Sequence, residues 1–551
     1  MRRTIFLFSI VATLVSIPPT GASATPPTPV IYEISPRFEA GALTDIEVTL
    51  RLKADASGIT TLELPQTSMG RTELWRGLRD IRANGAEISG DGSIRTLKSK
   101  PGRKIVVRYR IATAIDHDPT DADGYPVRPW IRPSWFLVDG PAAIARVADR
   151  PDAPMVLKWS GWPAGFGHAS SPEQTRTTDA RHSVLIGGRD LRIVRSGTLR
   201  LAIRGQHSFT DAELATDLAK ILTAERDFFG DDAAAPYFVA ASAVPAGSAQ
   251  SFRGTGKDGA FVMIASTGMS LEDLRILLAH ELFHAWNPTR LGRPIGPRGY
   301  WLSEGFTDFY ARRLLQRARL ISPTEFANAW NEMFRAYGAS PAKTMPGAQA
   351  AEGFWTDPDA EKIPYQRGAM LAALWDWRLR QRGLSLDSVL RTQAEAFRSA
   401  PDAGLTELFV GAMNRAGIDI SGDLAKYIDQ GAAIDLPNDI FSPCGTLEAV
   451  TAPSFELGFE PVPASDGTLT IAHLKAGGAA DRAGLRDGMS IVRKVSGTNG
   501  DPTRPYELLI RSPDGSAKTV RFLPQGEGVV RYQRLALDPA AANNPAICDF
   551  R

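Results

Sequence analysis

Residues 280–284 read His280-Glu281-Leu282-Phe283-His284, and downstream the chain continues Trp301-Leu302-Ser303-Glu304-Gly305-Phe306-Thr307-Asp308. On a helix, residues four apart share one face with Cβ atoms about 5–6 Å apart, so two imidazoles at this spacing can reach one metal ion. The helix is expected from Leu271 to Trp286. Ser270 stands at its cap, Asp273 at the capping-box position, and Leu271, Leu274, Ile276, Leu277, Leu278 and Leu282 supply an apolar body. Zinc at an enzyme centre takes three protein ligands and leaves a fourth position for water. Glu304, at the start of a second apolar helix, is the expected third ligand. Asp308, again four residues on, can accept the free N–H of a liganding histidine, a partner that metal-bound imidazoles require. With only seven histidines in 551 residues, two at this spacing followed by two acids at the same spacing point to one zinc ion as cofactor.

The rest of the chain must house that centre. Its length implies several domains rather than one core. Hydrophobic residues make up 43% and charged residues 23%, which excludes wholesale disorder and a polytopic membrane protein. Sixty-three Lys and Arg against sixty-one Asp and Glu leave a formal charge of +2. No basic block could track a phosphate backbone, so nucleic acid is not an expected partner.

The first residues carry Arg2 and Arg3, an apolar run from Ile5 to Ile17, and the small-residue triplet Ala22-Ser23-Ala24. That order is a secretory signal over 1–24, and the apolar run is too short to span a bilayer. The expectation is an exported, periplasmic or extracellular protein without stable membrane insertion. Cys444 and Cys548 are the two cysteines, and an oxidising compartment makes a disulfide between them the expected state.

Period-two apolar stretches broken by Gly and Pro over 25–205 read as an all-β, sandwich-like N-terminal domain. The period changes near residue 208, where Ser208 or Thr210 can cap a helix. A small sheet and a helical lobe follow over 206–440, including helices at 306–319, 323–337, 365–382 and 386–397. Strands and Gly-rich turns return over 450–525, and 526–551 read as a C-terminal tail. The fold class is therefore multidomain α+β.

The strings from His280 to Asn287 and from Trp301 to Tyr310 resemble the glycyl aminopeptidase family, within the thermolysin-like zinc peptidases called gluzincins, whose members carry a C-terminal PDZ domain. The resemblance implies a thermolysin-like α+β catalytic domain and peptide or protein substrates. It implies zinc on His280, His284 and Glu304, with Glu281 as general base. Pro364-Tyr365-Gln366-Arg367-Gly368-Ala369 resembles the Tyr-containing helix start that stabilises the oxyanion in related aminopeptidases, which makes Tyr365 the expected donor. Leu457-Gly458-Phe459 resembles the carboxylate-binding loop of PDZ domains, which implies C-terminal peptide ligands. The family carries a Glu that grips the substrate's amino group, where this chain has the neutral Gln250 in Ala246-Gly247-Ser248-Ala249-Gln250-Ser251. Aminopeptidase and endopeptidase readings both stay open, beside another amide hydrolase or an inactive peptidase fold that binds peptides through its PDZ-like domain.

Overall fold

The protein is described by a computed structural model that covers residues 29–550, apart from 151–152, 154, 172–182, 232–233, 247–250, 258 and 464–467. The signal over 1–24 and the Gly247 to Gln250 stretch lie outside the described residues. Among the described residues no helix is long and apolar enough to cross a membrane.

A five-stranded sheet organises the middle of the chain. Its strands are β1 (Arg192–Ser196), β2 (Leu199–Arg204), β3 (Tyr237–Val244), β4 (Phe252–Lys257) and β5 (Ala260–Ser266), in the spatial order β1-β2-β3-β5-β4. Every residue of β2, β3 and β5 is buried, because both faces are covered, as parallel central strands require. On β5, Phe261, Met263 and Ala265 face the helical core, while Ala260, Val262 and Ile264 pack with Trp130, Leu137 and Ile186. Those last residues belong to a sheet of the N-terminal region, Gly167–Ser171, Val184–Gly188, Trp135–Asp139 and Trp130–Arg132. Two further sheets complete that region around a core of its own that includes Ile34, Ile46, Val48 and Val107. The α+β fold class expected from the sequence is thus the one observed.

Tertiary pairing overrides two boundaries. Strands β1 and β2 read in sequence as the end of the N-terminal unit, but β2 pairs in parallel with β3, so the central sheet starts before residue 206. Residues after 526 are no tail: Gln525–Leu537 is a strand paired antiparallel with Gly445–Phe455. The chain that links the two arms of this ribbon forms a separate five-stranded sheet of Glu460–Pro463, Leu469–Ala472, Ser490–Ser496, Tyr506–Arg511 and Ala517–Phe522.

The helices that frame the site are α1 (Asp211–Phe229), α2 (Leu271–Phe283), α3 (Tyr300–Arg317), α4 (Pro323–Ala339) and α5 (Pro358–Arg380). Thr210 caps α1 through a reciprocal bond with Glu213. The sequence reading starts α5 after Pro364, yet the helix begins at Pro358, where the Asp357 side chain accepts from the amides of Asp359 and Ala360. A proline inside a helix forgoes one bond, here to the carbonyl of Ala360, and Pro364 lies within a helix whose apolar face is deeply packed.

The C-terminal β-rich module is braced against this lobe. Asn331 of α4 exchanges two bonds with the backbone of Leu535 (3.1 and 2.6 Å), and Arg335 pairs with the buried Asp501 at 3.2 Å. Phe459 is in the module's core and Gly458 turns with φ 77°. The edge strand that follows them contains Pro461 and Pro463. Neither can donate an N–H to an added strand, so this edge is poorly suited to capturing a peptide by strand addition.

Cys444 and Cys548 are joined, 104 residues apart. The chain end they secure lies along α3, where Arg317 Nε donates to the Asp549 carbonyl (2.7 Å) and Arg319 pairs with the Asp549 carboxylate (2.7 Å). Replacing both cysteines with alanine should lower stability by about 2–5 kcal/mol. Urea unfolding of the two proteins, with a thiol count of zero in the unreduced parent, checks this.

Candidate metal centre

The helix α2 presents His280 in its last turn, and His284 follows at its C-terminal cap. Glu304 comes from α3. The three ligand atoms form a near-equilateral triangle. His280 Nε2 to His284 Nε2 is 3.1 Å, His280 Nε2 to Glu304 Oε2 is 3.3 Å, and His284 Nε2 to Glu304 Oε2 is 3.4 Å. Tetrahedral ligands about 2.0–2.1 Å from zinc stand about 3.3 Å apart, so the triangle has the dimensions of one face of a zinc tetrahedron. Among the described residues this is the one group of three or more such side chains able to hold a metal ion.

Hydrogen bonds behind the imidazoles decide which nitrogen is bare. His280 Nδ1–H donates to Asp308 Oδ1 at 3.0 Å, and His284 Nδ1–H donates to the Asn287 carbonyl at 2.8 Å. In the neutral imidazoles both Nε2 atoms therefore carry lone pairs, and they face each other and a carboxylate in a buried place. Such a set is repulsive unless a cation joins it, so the residues fit a metal ion. Burial works against a charge on His280, but hydrogen bonds to Asp308 and Glu304 outweigh it and lift the imidazole to about 10, so the place favours a positive charge, which a metal ion supplies instead of a proton. Burial also opposes ionisation of Glu304, yet His284 and His280 hold its carboxyl well below the usual range.

The other sequence-predicted residues lie around this triangle. Asp308 is clamped from behind by Arg312, Nη1 to Oδ2 3.0 Å. Glu281 is 6% exposed and its Oε2 has no hydrogen-bond partner. Burial pushes its carboxyl upward, while the two histidines and the amide of Gly256 pull the other way. The Tyr365 ring stacks over His280, with centroids 5.9 Å apart and planes 25° apart. Burial and the nearby Glu304 and Glu281 raise its hydroxyl well above the ordinary value, so it remains a donor at neutral pH. Leu457, Gly458 and Phe459 belong to the C-terminal module and do not join the centre.

Three features escaped sequence reading. Asn287 lies within the quoted string without an assigned role, yet it is fully buried, and its Nδ2 donates to the carbonyls of Leu302 and Ser303 and to Thr307 Oγ1 at 3.0–3.1 Å. It therefore ties the His284 turn to the Glu304 helix. The edge strand β4 passes directly over α2 because Gly254 and Gly256 have no side chains. A Cβ on Gly254 would lie 2.6 Å from Glu281 Oε1, and one on Gly256 would overlap His284. The signal was present as two glycines at strand period in Phe252-Arg253-Gly254-Thr255-Gly256-Lys257. Finally, Gly305 and Gly368 meet where α3 crosses α5, and a Cβ on either would collide with the other helix's backbone. That contact brings Tyr365 against the metal ligands.

Asp308→Asn should weaken zinc binding about 10–100-fold, read by competition with a chelator. Asn287→Ala removes the side-chain link between the His284 turn and α3. It should lower both zinc affinity and melting temperature, measured by chelator competition and calorimetry.

Residues 273–366 match the sequence profile of a family described as M61 glycyl aminopeptidase. No curated protein matches the chain. Among solved structures, an aminopeptidase N family protein from Idiomarina loihiensis aligns at 16% identity with a TM-score of 0.66, covering 94% of this chain and 99% of its own. The M1 zinc metallopeptidase from Deinococcus radiodurans aligns at 19% identity with a TM-score of 0.47, covering 75% of this chain and 96% of its own. The architecture is thus that of the aminopeptidase N family fold.

Proposed function

We propose that this chain is an exported, zinc-dependent peptidase, aminopeptidase-like in architecture, that hydrolyses peptide bonds at the centre formed by His280, His284 and Glu304. One observation carries the reading: two bare imidazole nitrogens and a carboxylate stand 3.1–3.4 Å apart beside a carboxyl with one unpartnered oxygen. Zinc bound there supplies a Lewis acid that lowers the pKa of water and polarises the scissile carbonyl.

The chain's own groups do the rest. Glu281, with a carboxyl raised by burial, takes a proton from the attacking water at Oε2 and returns it to the leaving amine. Tyr365 donates its hydroxyl hydrogen to the oxygen that gains charge in the transition state. Asp308 and the Asn287 carbonyl keep both Nδ1 protons in place and so keep Nε2 free for the metal. Gly254 and Gly256 leave the space above Glu281 clear of side chains. Export is supported by the N-terminal pattern over 1–24 and by the Cys444 to Cys548 bridge. The C-terminal module serves as a brace for α4 rather than as a peptide receptor, in keeping with the Arg335 to Asp501 pair and the prolines on its edge. The neutral Gln250 favours an endopeptidase as the second reading, because no acid at that position would hold a free amino group.

Glu281→Gln should retain its zinc and lose about 10²–10⁴-fold in kcat, measured on blocked and free peptides alongside metal analysis. Tyr365→Phe should lower kcat about 10²–10³-fold with little change in KM, as expected for a contact made mainly in the transition state. Near wild-type turnover in a zinc-loaded Glu281→Gln protein would overturn the assignment.

A further inference from the structure

A run of aromatic rings leads outward from the metal centre. Tyr365, stacked on His280, is itself stacked against Phe354, with centroids 6.4 Å apart and planes 14° apart. Phe354 is buried in the turn that leads into α5, and Tyr300 and Trp355 pack on it edge to face at 4.6 and 4.8 Å. Tyr300 and Trp355 are perpendicular to each other, with centroids 6.4 Å apart and planes at 89°. Tyr300 opens α3 and shares a helix face with Glu304, four residues on. Three ring-to-ring steps of 4.8–6.4 Å thus join Trp355 to a ligand imidazole, a reach no longer than about five residues of extended chain.

The outer end of this run is open to solvent. Trp355 is 43% exposed, and Ile295, whose side chain lies over Gly299 just before Tyr300, is 57% exposed. The indole is nevertheless held in place. Phe354 and Tyr300 flank it, and Gly70 of the N-terminal region presses on its base, where a Cβ would come within 2.6 Å of Trp355 Cβ and Cγ. Gly70 has φ 72° in a tight turn closed by two backbone bonds between Ser68 and Arg71, of 3.0 and 2.9 Å. A free surface tryptophan gives up rotamer freedom when it binds something, whereas a ring already fixed on several sides has little left to lose. A rigid, exposed indole continuous with the metal centre is therefore a preformed anchor. Its neighbours are packed edge to face, the arrangement that aromatic pairs prefer, so one more ring gains more there than an aliphatic group of the same volume.

We infer that the exposed face of Trp355 is a substrate subsite for an aromatic side chain, carried by a peptide residue within about five positions of the scissile bond. The guest ring packs on the indole and extends the series that Phe354 and Tyr300 begin, which makes Trp355 a specificity-determining residue. This rests on the peptidase reading above and names its substrate preference.

The test uses the full, zinc-loaded chain carrying Glu281→Gln, so that binding is read apart from turnover, and alanine hexapeptides with a single Phe or cyclohexylalanine at each position. Calorimetric titration should find one position at which Phe binds about tenfold tighter than Ala, the scale of burying part of a phenyl ring. At that position Phe should bind about threefold tighter than cyclohexylalanine, which has a similar shape and no π system. Adding Trp355→Ala should bring the Phe-to-Ala ratio to about one. Adding Trp355→Leu should keep part of that ratio while Phe and cyclohexylalanine become equal. A Phe-to-Ala ratio near one at every position, equal binding of Phe and cyclohexylalanine by the parent, or a preference for Phe over cyclohexylalanine that survives Trp355→Leu would overturn the assignment. If Trp355→Ala does not fold, Trp355→Leu decides alone. A wild-type protein that shows the binding preference but cleaves none of the peptides would refute the peptidase reading and leave the subsite standing, and cleavage without any preference for Phe would do the reverse.

Discussion

Two imidazole nitrogens and a carboxylate oxygen, each offering an electron pair toward the same point, repel one another in a buried setting. The geometry around His280, His284 and Glu304 fits a cation at its centre, and much of the surrounding structure holds those donors in place against that repulsion. Asp308 fixes one imidazole and is itself fixed by Arg312. The backbone of Asn287 fixes the other, while its side chain reaches across to the start of the Glu304 helix. Each ligand is thus restrained by a group on the opposite helix or on the following turn. The triangle is set by the packing of two helices rather than by either one.

That packing depends on what is missing as much as on what is present. Where α3 crosses α5, two glycines let the backbones meet, and Tyr365 arrives one turn before that contact, stacked on His280. Where β4 passes over α2, two more glycines let the sheet edge reach Glu281 and His284. The centre therefore lies between a helix layer and a sheet edge that approach more closely than side chains of ordinary size would permit.

The outer parts of the chain support this arrangement from both sides. The N-terminal sheets bury the face of the central sheet that the helices leave free, and a buried ion pair between Lys257 of the edge strand and Asp139 of the N-terminal region, at 2.6 Å, links the two. At the other end, the disulfide and the Asp549 contacts hold the chain terminus on α3, the helix that delivers Glu304 and Asp308. The same packing of α2, α3, α4 and α5 leaves a cleft of about 270 Å³ bordered by Asp308 and Tyr365.

The grouping of His280, His284 and Glu304, the nearness of Glu281 and Asp308 to them and the mixed fold class were legible in the residues themselves. Helical geometry is local: residues four apart share a face whatever the rest of the chain does, so spacing alone sets His280 beside His284 and Glu304 beside Asp308. The disulfide was legible for a different reason, because two cysteines allow one intramolecular pairing. The placement of β1 and β2 in the central sheet, the strand after residue 525, the glycine contacts over Glu281 and beside Tyr365, the bridging side chain of Asn287 and the cleft bordered by Asp308 and Tyr365 were decided by tertiary structure. Each joins residues distant in sequence, and which distant surfaces meet is set by the burial of whole faces, a property that no local period encodes.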